Sequence, residues 1–214
     1  MELYGKSGAA SCRAILMVAK AVKKEVKIRD VDVMSGEHVS ENFSQLNPEK
    51  TIPVFIDDGF VISDSRAAMM YLADQYGHHD FLYPKDPKQR ALVNQRLLFY
   101  MGTLYQRLTD YYGPQIKDKS SADSEKWKLM EESMGCLDIY LKGNGFAAGE
   151  KMTIADLGLL STVSNYDAIQ FDLSKYINVS RWYANIKDTA PGAELNKIGC
   201  QLFTEFLRAY SIIQ

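Results

Sequence analysis

Three short runs of this chain hold side chains suited to chemistry. Thr51-Ile52-Pro53-Val54 leads into an apolar stretch. Proline is tolerated at the start of a strand, where it removes one ladder donor. In the cis form it would turn the chain and expose the Ile52 N–H and C=O, so that a peptide-like ligand could add as an extra strand. The dipeptide alone favours trans. Asp64-Ser65-Arg66 opens a helical run. Free N–H groups and the dipole at a helix start bind anions. The same residues also read as a cap, with Ser63 or Asp64 satisfying those groups and Arg66 on the surface, and local sequence favours the cap. Ser11-Cys12 opens another helical run after a Gly/Ala loop, a second place for an anion or a thiolate. The plainer reading makes Cys12 a small buried hydrophobe.

Aromatic residues supply the remaining candidates. Tyr105, Tyr111 and Tyr112 precede Gly113-Pro114, and Phe203 and Phe206 lie near the C-terminus. Aromatics at helical spacing are more often core than pocket. Tyr111-Tyr112 is the better pocket candidate, because Gly-Pro predicts a helix break and a break leaves space. His78-His79 reads as a turn, Lys117 to Lys119 as a solvated run and Met69-Met70 as packing.

The elements that must position these runs follow from periodicity. Residues 2–4 form a short β-prone run and residues 11–23 have helical spacing, with Lys20, Lys23 and Lys24 at the dipole's negative end. Residues 26–33 read as a strand and 38–45 as a short helix. Two apolar runs, 54–56 and 60–62, flank Asp57-Asp58-Gly59, a hairpin signal. Residues 64–76 read as helix, stopped by Gly77. The order β-α-β-α-β-β-α predicts a four-stranded mixed sheet with helices on both faces. After the turn-rich run Tyr83-Pro84-Lys85-Asp86-Pro87, no strand is convincing. Helices are expected at 88–109, with Leu92, Leu97, Leu98, Met101, Leu104 and Leu108 spaced for burial, and at 124–141. Thr153 and Asp156 are placed as a capping box before a central helix reaching about residue 166. Shorter helices follow at 180–187, 192–199 and 203–210. The expected organisation is an α/β domain over 1–80, a linker at 81–87 and an all-α domain over 88–214.

Composition narrows the function. Apolar residues are 46% of the 214 and charged residues 24%, both ordinary for a globular protein. Lys plus Arg number 25 against 27 Asp plus Glu, a net charge of -2, without the basic excess of a nucleic-acid binder. Cys12, Cys136 and Cys200 are too few for a disulfide framework, and no CxxC pair occurs. His38, His78 and His79 are the histidines, so no metal site is expected. No apolar run approaches the ~18 residues of a membrane span, and residues 1–13 lack the apolar core of a secretion signal. A reducing, cytoplasmic setting is expected, with no membrane or nucleic-acid partner.

Together these residues resemble the cytosolic glutathione transferases. The resemblance rests on Ile52-Pro53 before the third strand, Asp64-Ser65-Arg66 at the next helix, and an all-helical second half. It also rests on Phe146-Ala147-Ala148-Gly149 followed by Thr153-Ile154-Ala155-Asp156-Leu157. Gly36-Glu37-His38, Asn47-Pro48-Glu49-Lys50, residues 82–87 and Met101-Gly102-Thr103-Leu104-Tyr105 resemble the insect delta class in particular. The resemblance implies a thioredoxin-like first domain, an all-α second domain and a homodimer. It implies glutathione as co-substrate, with no other cofactor and no metal. The tripeptide would lie along Thr51, Ile52 and Pro53, with its γ-glutamyl end at Asp64, Ser65 and Arg66 and its glycyl carboxylate near His38 and Lys50. Hydrophobic electrophiles would sit against Tyr105, Tyr111, Tyr112, Phe203 and Phe206.

The departures from that family are specific. Its thiol-activating serine, three residues before Cys-Arg, is Ala9 here. Ser11 is the replacement candidate, acting with the amides of the first helix. The family's histidine before Thr-Ile-Pro is Lys50, its glutamate before Ser-Arg is Asp64, and an aspartate before Met-Gly is Tyr100. Three readings follow. The favoured one is a detoxifying transferase that conjugates reduced glutathione to electrophiles. A second is a protein of the same fold that binds glutathione or hydrophobic ligands with little or no turnover. The third is a redox protein using Cys12.

Overall fold

The structure is a computed structural model, and it describes residues 1–78, 80 and 82–213. The expected turn at His78-His79 therefore falls partly outside the described residues, as do the first residue of the 81–87 segment and the last residue of the chain.

The sheet order is β2-β1-β3-β4. β1 (Glu2–Gly5) pairs parallel with β2 (Lys27–Asp30), and antiparallel with β3 (Val54–Asp57), which pairs antiparallel with β4 (Phe60–Ile62). The parallel step is carried by α1 (Ala10–Ala21), and the β3–β4 hairpin turns at Asp58 and Gly59, both with positive φ. β2 is shorter than the alternation of valines predicts. It is the sheet edge, and Val31 leaves it to pack with Phe43 of α2 (Glu41–Leu46) and with Val54 on one face. The other face carries α1 and α3 (Ser65–Tyr76). The mixed sheet with helices on both faces is as expected.

The helical half departs from the sequence expectation in two places. α4 (Pro87–Phe99) does not run on to residue 109. It passes into a π-helical turn (Tyr100–Tyr105) and then α5 (Gln106–Asp118), which continues straight through Gly113-Pro114. The predicted break is absent. Proline removes one intrahelical N–H, and packing of α5 on α6 (Ser124–Leu141) outweighs that local loss. Of the leucines expected inside, Leu97, Leu104 and Leu108 are buried, but Leu92 and Leu98 are exposed. The second departure is α9 (Ala193–Ala209), one helix where two were expected. Gly199 lies inside it as a packing residue.

α7 (Ile154–Ala168) is the axis of the molecule. The Thr153–Asp156 capping box starts it, and every residue from Ile154 to Tyr166 is buried. Asp156 also accepts from Ala147 N–H at 2.8 Å and Trp182 Nε1 at 3.0 Å, so one buried carboxylate ties the cap to α8 (Ile177–Ile186). α1 packs against α3, α7 and α9, so one continuous core joins the sheet-bearing half to the helical half. Among the described residues no helix is long and apolar enough to cross a membrane.

Candidate active site

Gly5 ends β1 at the point where the candidate runs meet. A Cβ there would stand 2.5 Å from Cys12 Sγ and 3.8 Å from both Ile52 Cβ and Pro53 Cα. The start of α1 and the Ile-Pro turn are therefore neighbours, with room only for hydrogen at residue 5.

The Ile52-Pro53 peptide is cis, against the base rate for such bonds. β3 begins at Val54, opposite Tyr4, so Ile52 stands outside the ladder. Among the described residues neither its N–H nor its C=O has a partner, which leaves both for a ligand. Asn47, which has no solvent exposure, fixes this segment. Its Nδ2 donates to Thr51 O at 2.8 Å and Thr51 Oγ1 at 3.1 Å, and its carbonyl accepts from Lys50 N–H at 3.0 Å. Lys50 takes a left-handed conformation (φ 55°) with its side chain exposed. Asn47 is a positioning residue that local sequence shows only as a turn signal, Asn47-Pro48. His38 lies in a one-turn 3₁₀ helix (Glu37–Val39), partly buried, with a buried Nδ1 that has no partner among the described residues.

Asp64 caps α3, accepting from Arg66 N–H at 2.8 Å and Ala67 N–H at 3.0 Å. It also accepts from Arg66 Nη2 at 2.6 Å. Burial pushes the Asp64 carboxyl up, but Arg66 and the capped amides outweigh it and hold it below the usual range. The capping reading is correct for Asp64. It leaves the Ser65 hydroxyl and the outer face of Arg66 uncommitted to the cap, at the helix end where an anion is favoured.

α1 begins differently. Ala9 is its N-cap, extended at φ −73°, with no side-chain cap and no acidic residue in the first turn. The N–H groups of Ala10, Ser11 and Cys12 have no acceptor among the described residues, the first in-chain bond being Arg13 N–H to Ala9 O. Three free amides and the dipole thus stand where the serine hydroxyl is missing. Ser11 is 4% exposed, one residue inside the helix, with its hydroxyl beside the Cys12 sulfur.

Cys12 itself is inert. It has no exposure, and burial pushes its thiol up to about 12 from an ordinary 9.0, against smaller pulls from the Lys6 N–H and Ser11. At neutral pH almost none is thiolate, so the redox reading loses its nucleophile. The thiol stays protonated in the folded chain but ionises near 9 when unfolded. Stability from this group is therefore complete below pH 9 and falls by about 1.4 kcal/mol per pH unit above it, up to about 12. Denaturant midpoints measured across that interval are expected to fall less steeply in Cys12→Ala than in the wild type. Equal slopes would show that the thiol ionises freely in the fold.

Arg13 is also fully buried, and among the described residues the oxygens it bonds are amide and carbonyl oxygens rather than a carboxylate. Its Nη1 donates to Asn196 O at 3.1 Å and Asn196 Oδ1 at 2.8 Å; its Nη2 donates to Ser161 O at 2.9 Å and to Asn165 Oδ1. One guanidinium thereby fastens α1 to α7 and α9. The loop before α1 is pressed against α9 as well. A Cβ on Gly8 would lie 3.3 Å from Phe203 N, and one on Gly199 would lie 2.3 Å from Ser7 O.

The aromatic candidates separate into two groups. Phe203 lies by Gly8, and Tyr105 is close enough to Cys12 and Arg13 to sense their charge, which puts both near the start of α1. Phe206 is on the same helix as Phe203, its ring 4.9 Å from that of Tyr210. Tyr111 and Tyr112 instead belong to an aromatic chain. Their rings meet edge to face at 4.7 Å, and Tyr111 continues to Trp127 at 5.3 Å, which continues to Phe171 at 5.4 Å. α5 is unbroken at Gly113-Pro114, and the space beside Pro114 is a cleft of about 300 Å³ lined by Arg107, Asp110, Pro114 and Lys126 rather than by Tyr111 or Tyr112.

Comparison with known proteins agrees with this geometry. Residues 1–74 match the glutathione S-transferase N-terminal domain and residues 97–188 the C-terminal domain. A delta-class glutathione transferase of Nilaparvata lugens is 44% identical, with 98% of this chain and 99% of that one covered and a TM-score of 0.93. A Bombyx mori glutathione transferase is 36% identical over 96% of this chain and 97% of that one, TM-score 0.91. An epsilon-class enzyme of the housefly Musca domestica is 31% identical over 100% and 99%, TM-score 0.93. With a cis Ile-Pro turn, a free α1 N-terminus and Ser65-Arg66 gathered on one thioredoxin-like sheet, and with both domains matched, this chain belongs to the glutathione transferase family.

Proposed function

We propose that the protein conjugates the thiol of reduced glutathione to hydrophobic electrophiles. The observation that carries this is the uncapped start of α1 beside the unpaired Ile52 backbone. The tripeptide adds to the sheet at Ile52, with Thr51 and Pro53 flanking it. Its γ-glutamyl carboxylate takes Ser65 and Arg66, while Asp64 holds Arg66 in place. His38 and Lys50 receive the glycyl carboxylate. This brings the cysteinyl sulfur to the free amides of Ala10 and Ser11. Those amides favour thiolate over thiol, which raises the fraction of nucleophile. The Ser11 hydroxyl adds to that field. The thiolate attacks an electrophilic carbon, a carbon–sulfur bond forms, and the leaving group departs with its electron pair. Alignment of two bound reactants supplies the rest of the acceleration.

The electrophile lies between the α1 loop and α9, against Tyr105, Phe203 and Phe206. Tyr111 and Tyr112 stiffen the far wall of that region through their contact with α6. Detoxification in the cytoplasm is the role that this broad chemistry suits. The chain is read as a homodimer, because the exposed Leu92 and Leu98 of α4 offer apolar surface for a second copy. Residues 81–87 act as the linker between domains 1–80 and 88–214.

The test is an ultraviolet titration with glutathione across pH, following thiolate absorbance. A saturable signal with an apparent thiol pKa well below ~8.5 is expected. Saturable binding without thiolate would make the protein a carrier of glutathione, and no binding would remove the reading altogether.

A further inference from the structure

The guanidinium of Arg13 has five N–H donors, and four of them are used. Nη1 donates to Asn196 O and Asn196 Oδ1, and Nη2 to Ser161 O and Asn165 Oδ1. The fifth, on Nε, has no oxygen acceptor among the described residues, although Arg13 has no solvent exposure. The Cys200 thiol of α9 stands beside the guanidinium, near enough to share a hydrogen bond with it and to sense its charge. With four donors committed, Nε is the one left for that sulfur. Sulfur is a weak acceptor, so the Nε–H stays poorly satisfied. A buried donor in that state costs stability, and natural folds rarely keep one without a reason.

Cys200 also has an open side. It is partly buried, its thiol donates to Ser164 O at 3.1 Å, and it lines a cleft of about 280 Å³ between α7, α8 and α9, together with Asp167, Tyr183, Lys187 and Thr204. Cys12 lacks that opening, being wholly enclosed. Burial raises the Cys200 thiol above its ordinary value, and Arg13 pulls it the other way. The resting group is therefore a thiol that donates to Ser164 O, and it reacts slowly through a small thiolate fraction. Arg13 and Ser164 are placed to hold a product in which the sulfur carries an oxygen. A sulfenic acid donates its O–H to Ser164 O as the thiol did, and its oxygen accepts the Nε–H.

We propose that Cys200 is an oxidation site, at which a hydroperoxide entering by the α7–α8–α9 cleft converts the thiol to a sulfenic acid held between the Arg13 Nε–H and the Ser164 carbonyl. The thiolate attacks one peroxide oxygen. An S–O bond forms as the O–O bond breaks, and the other oxygen leaves as hydroxide or alkoxide and takes up the proton that the thiol gave to solvent. The sulfur loses two electrons and the peroxide gains them. A thiol reductant reverses the change. The effect reaches the start of α1 through Arg13, because that guanidinium fastens α1 to α7 and α9; oxidation completes its hydrogen bonds and stiffens the fastening. The inference stands apart from the glutathione reading, since no part of it uses the tripeptide.

Hydrogen peroxide, followed by a 1,3-dione that captures sulfenic acids and by peptide mass spectrometry, tests this. Cys136 is exposed and serves as the comparison. In the wild type the dione is expected on Cys200 and not on Cys12. Once the peroxide is removed, the Cys200 sulfenic acid is expected to remain capturable about 10-fold longer than that of Cys136, because a charged donor holds its oxygen. In Cys136→Ser, peroxide is expected to raise the melting temperature by about 2–4 °C, and dithiothreitol to restore it. The double variant Cys136→Ser/Cys200→Ala is expected to show no such shift. Capture at Cys136 with none at Cys200 would overturn the inference. So would a Cys200 sulfenic acid that decays as fast as that of Cys136, an adduct without a rise in melting temperature, or a rise that persists without Cys200.

Discussion

Ala9→Ser is expected to raise kcat/KM for glutathione conjugation by about 10- to 100-fold. A hydroxyl that bonds a thiolate is a bond to a charged group, worth roughly 1.5–3 kcal/mol, and ~1.4 kcal/mol is tenfold in rate. The backbone already suits the change. Ala9 is the N-cap of α1 in an extended conformation, the conformation that serine prefers at that position. The same change offers a competing use for the oxygen, because a capping serine accepts from the second or third amide of the helix. Those are the Ser11 and Cys12 N–H groups, which are free here. The two uses differ in a measurable way. A hydroxyl turned to the thiolate lowers the apparent pKa of bound glutathione, so the acid limb of the pH–rate profile, which rises as the thiol ionises, moves down by about one to two units. A hydroxyl turned to the amides raises the melting temperature and leaves that limb in place. The second pattern would show that the amides of α1, and not a side chain, activate the thiol in this protein.

How much of this was legible beforehand differs from element to element. The sheet and its helices were readable because period, turn chemistry and caps agree locally; the Asp57-Asp58-Gly59 hairpin and the Thr153–Asp156 box are instances. The cis peptide was not readable from Ile52-Pro53 alone, because the dipeptide favours trans and the residue packed beside it, Gly5, lies far away in sequence. Asp64 illustrates a half-answer. Local sequence named it a cap, which it is, while the resemblance named it a ligand, and the structure shows it holding Arg66. The break predicted at Gly113-Pro114 failed because tertiary packing of α5 overrode a local penalty. The burial of Arg13 had no local signal at all: its acceptors are 148 or more residues away. The free α1 amides were anticipated as an anion site, but Ala9 could be judged an absence only against the family pattern.

Gly199→Ala is expected to be the most damaging conservative change in the helical half, although alanine is the better helix former. The new Cβ would stand 2.3 Å from Ser7 O and 2.4 Å from Arg13 Cδ. Neither neighbour can yield cheaply. Ser7 belongs to the loop that ends at Ala9, where the Ala9 N–H bonds back to Lys6 O at 3.0 Å. Arg13 is held by Asn196, Asn165 and Ser161. Overpacking alone costs about 1–3 kcal/mol, and disturbing a buried charge network about 3–5 kcal/mol. A loss of about 3 kcal/mol or more is expected, which lowers the melting temperature by about 6–12 °C in a chain of this size. Gly135→Ala, inside α6, is the internal control, since the nearest atom to its added carbon is Tyr176 Cε1 at 4.0 Å and its gain is about 0.5–1 kcal/mol. The loss should also reach the chemistry, because whatever moves Ser7 moves Ala9 and the first amides of α1. Folded Gly199→Ala is therefore expected to bind glutathione with a higher thiol pKa than the wild type. A variant that melts within about 1 °C of the wild type would mean that α9 and the loop separate freely, and that the seating of the activating amides does not depend on their contact.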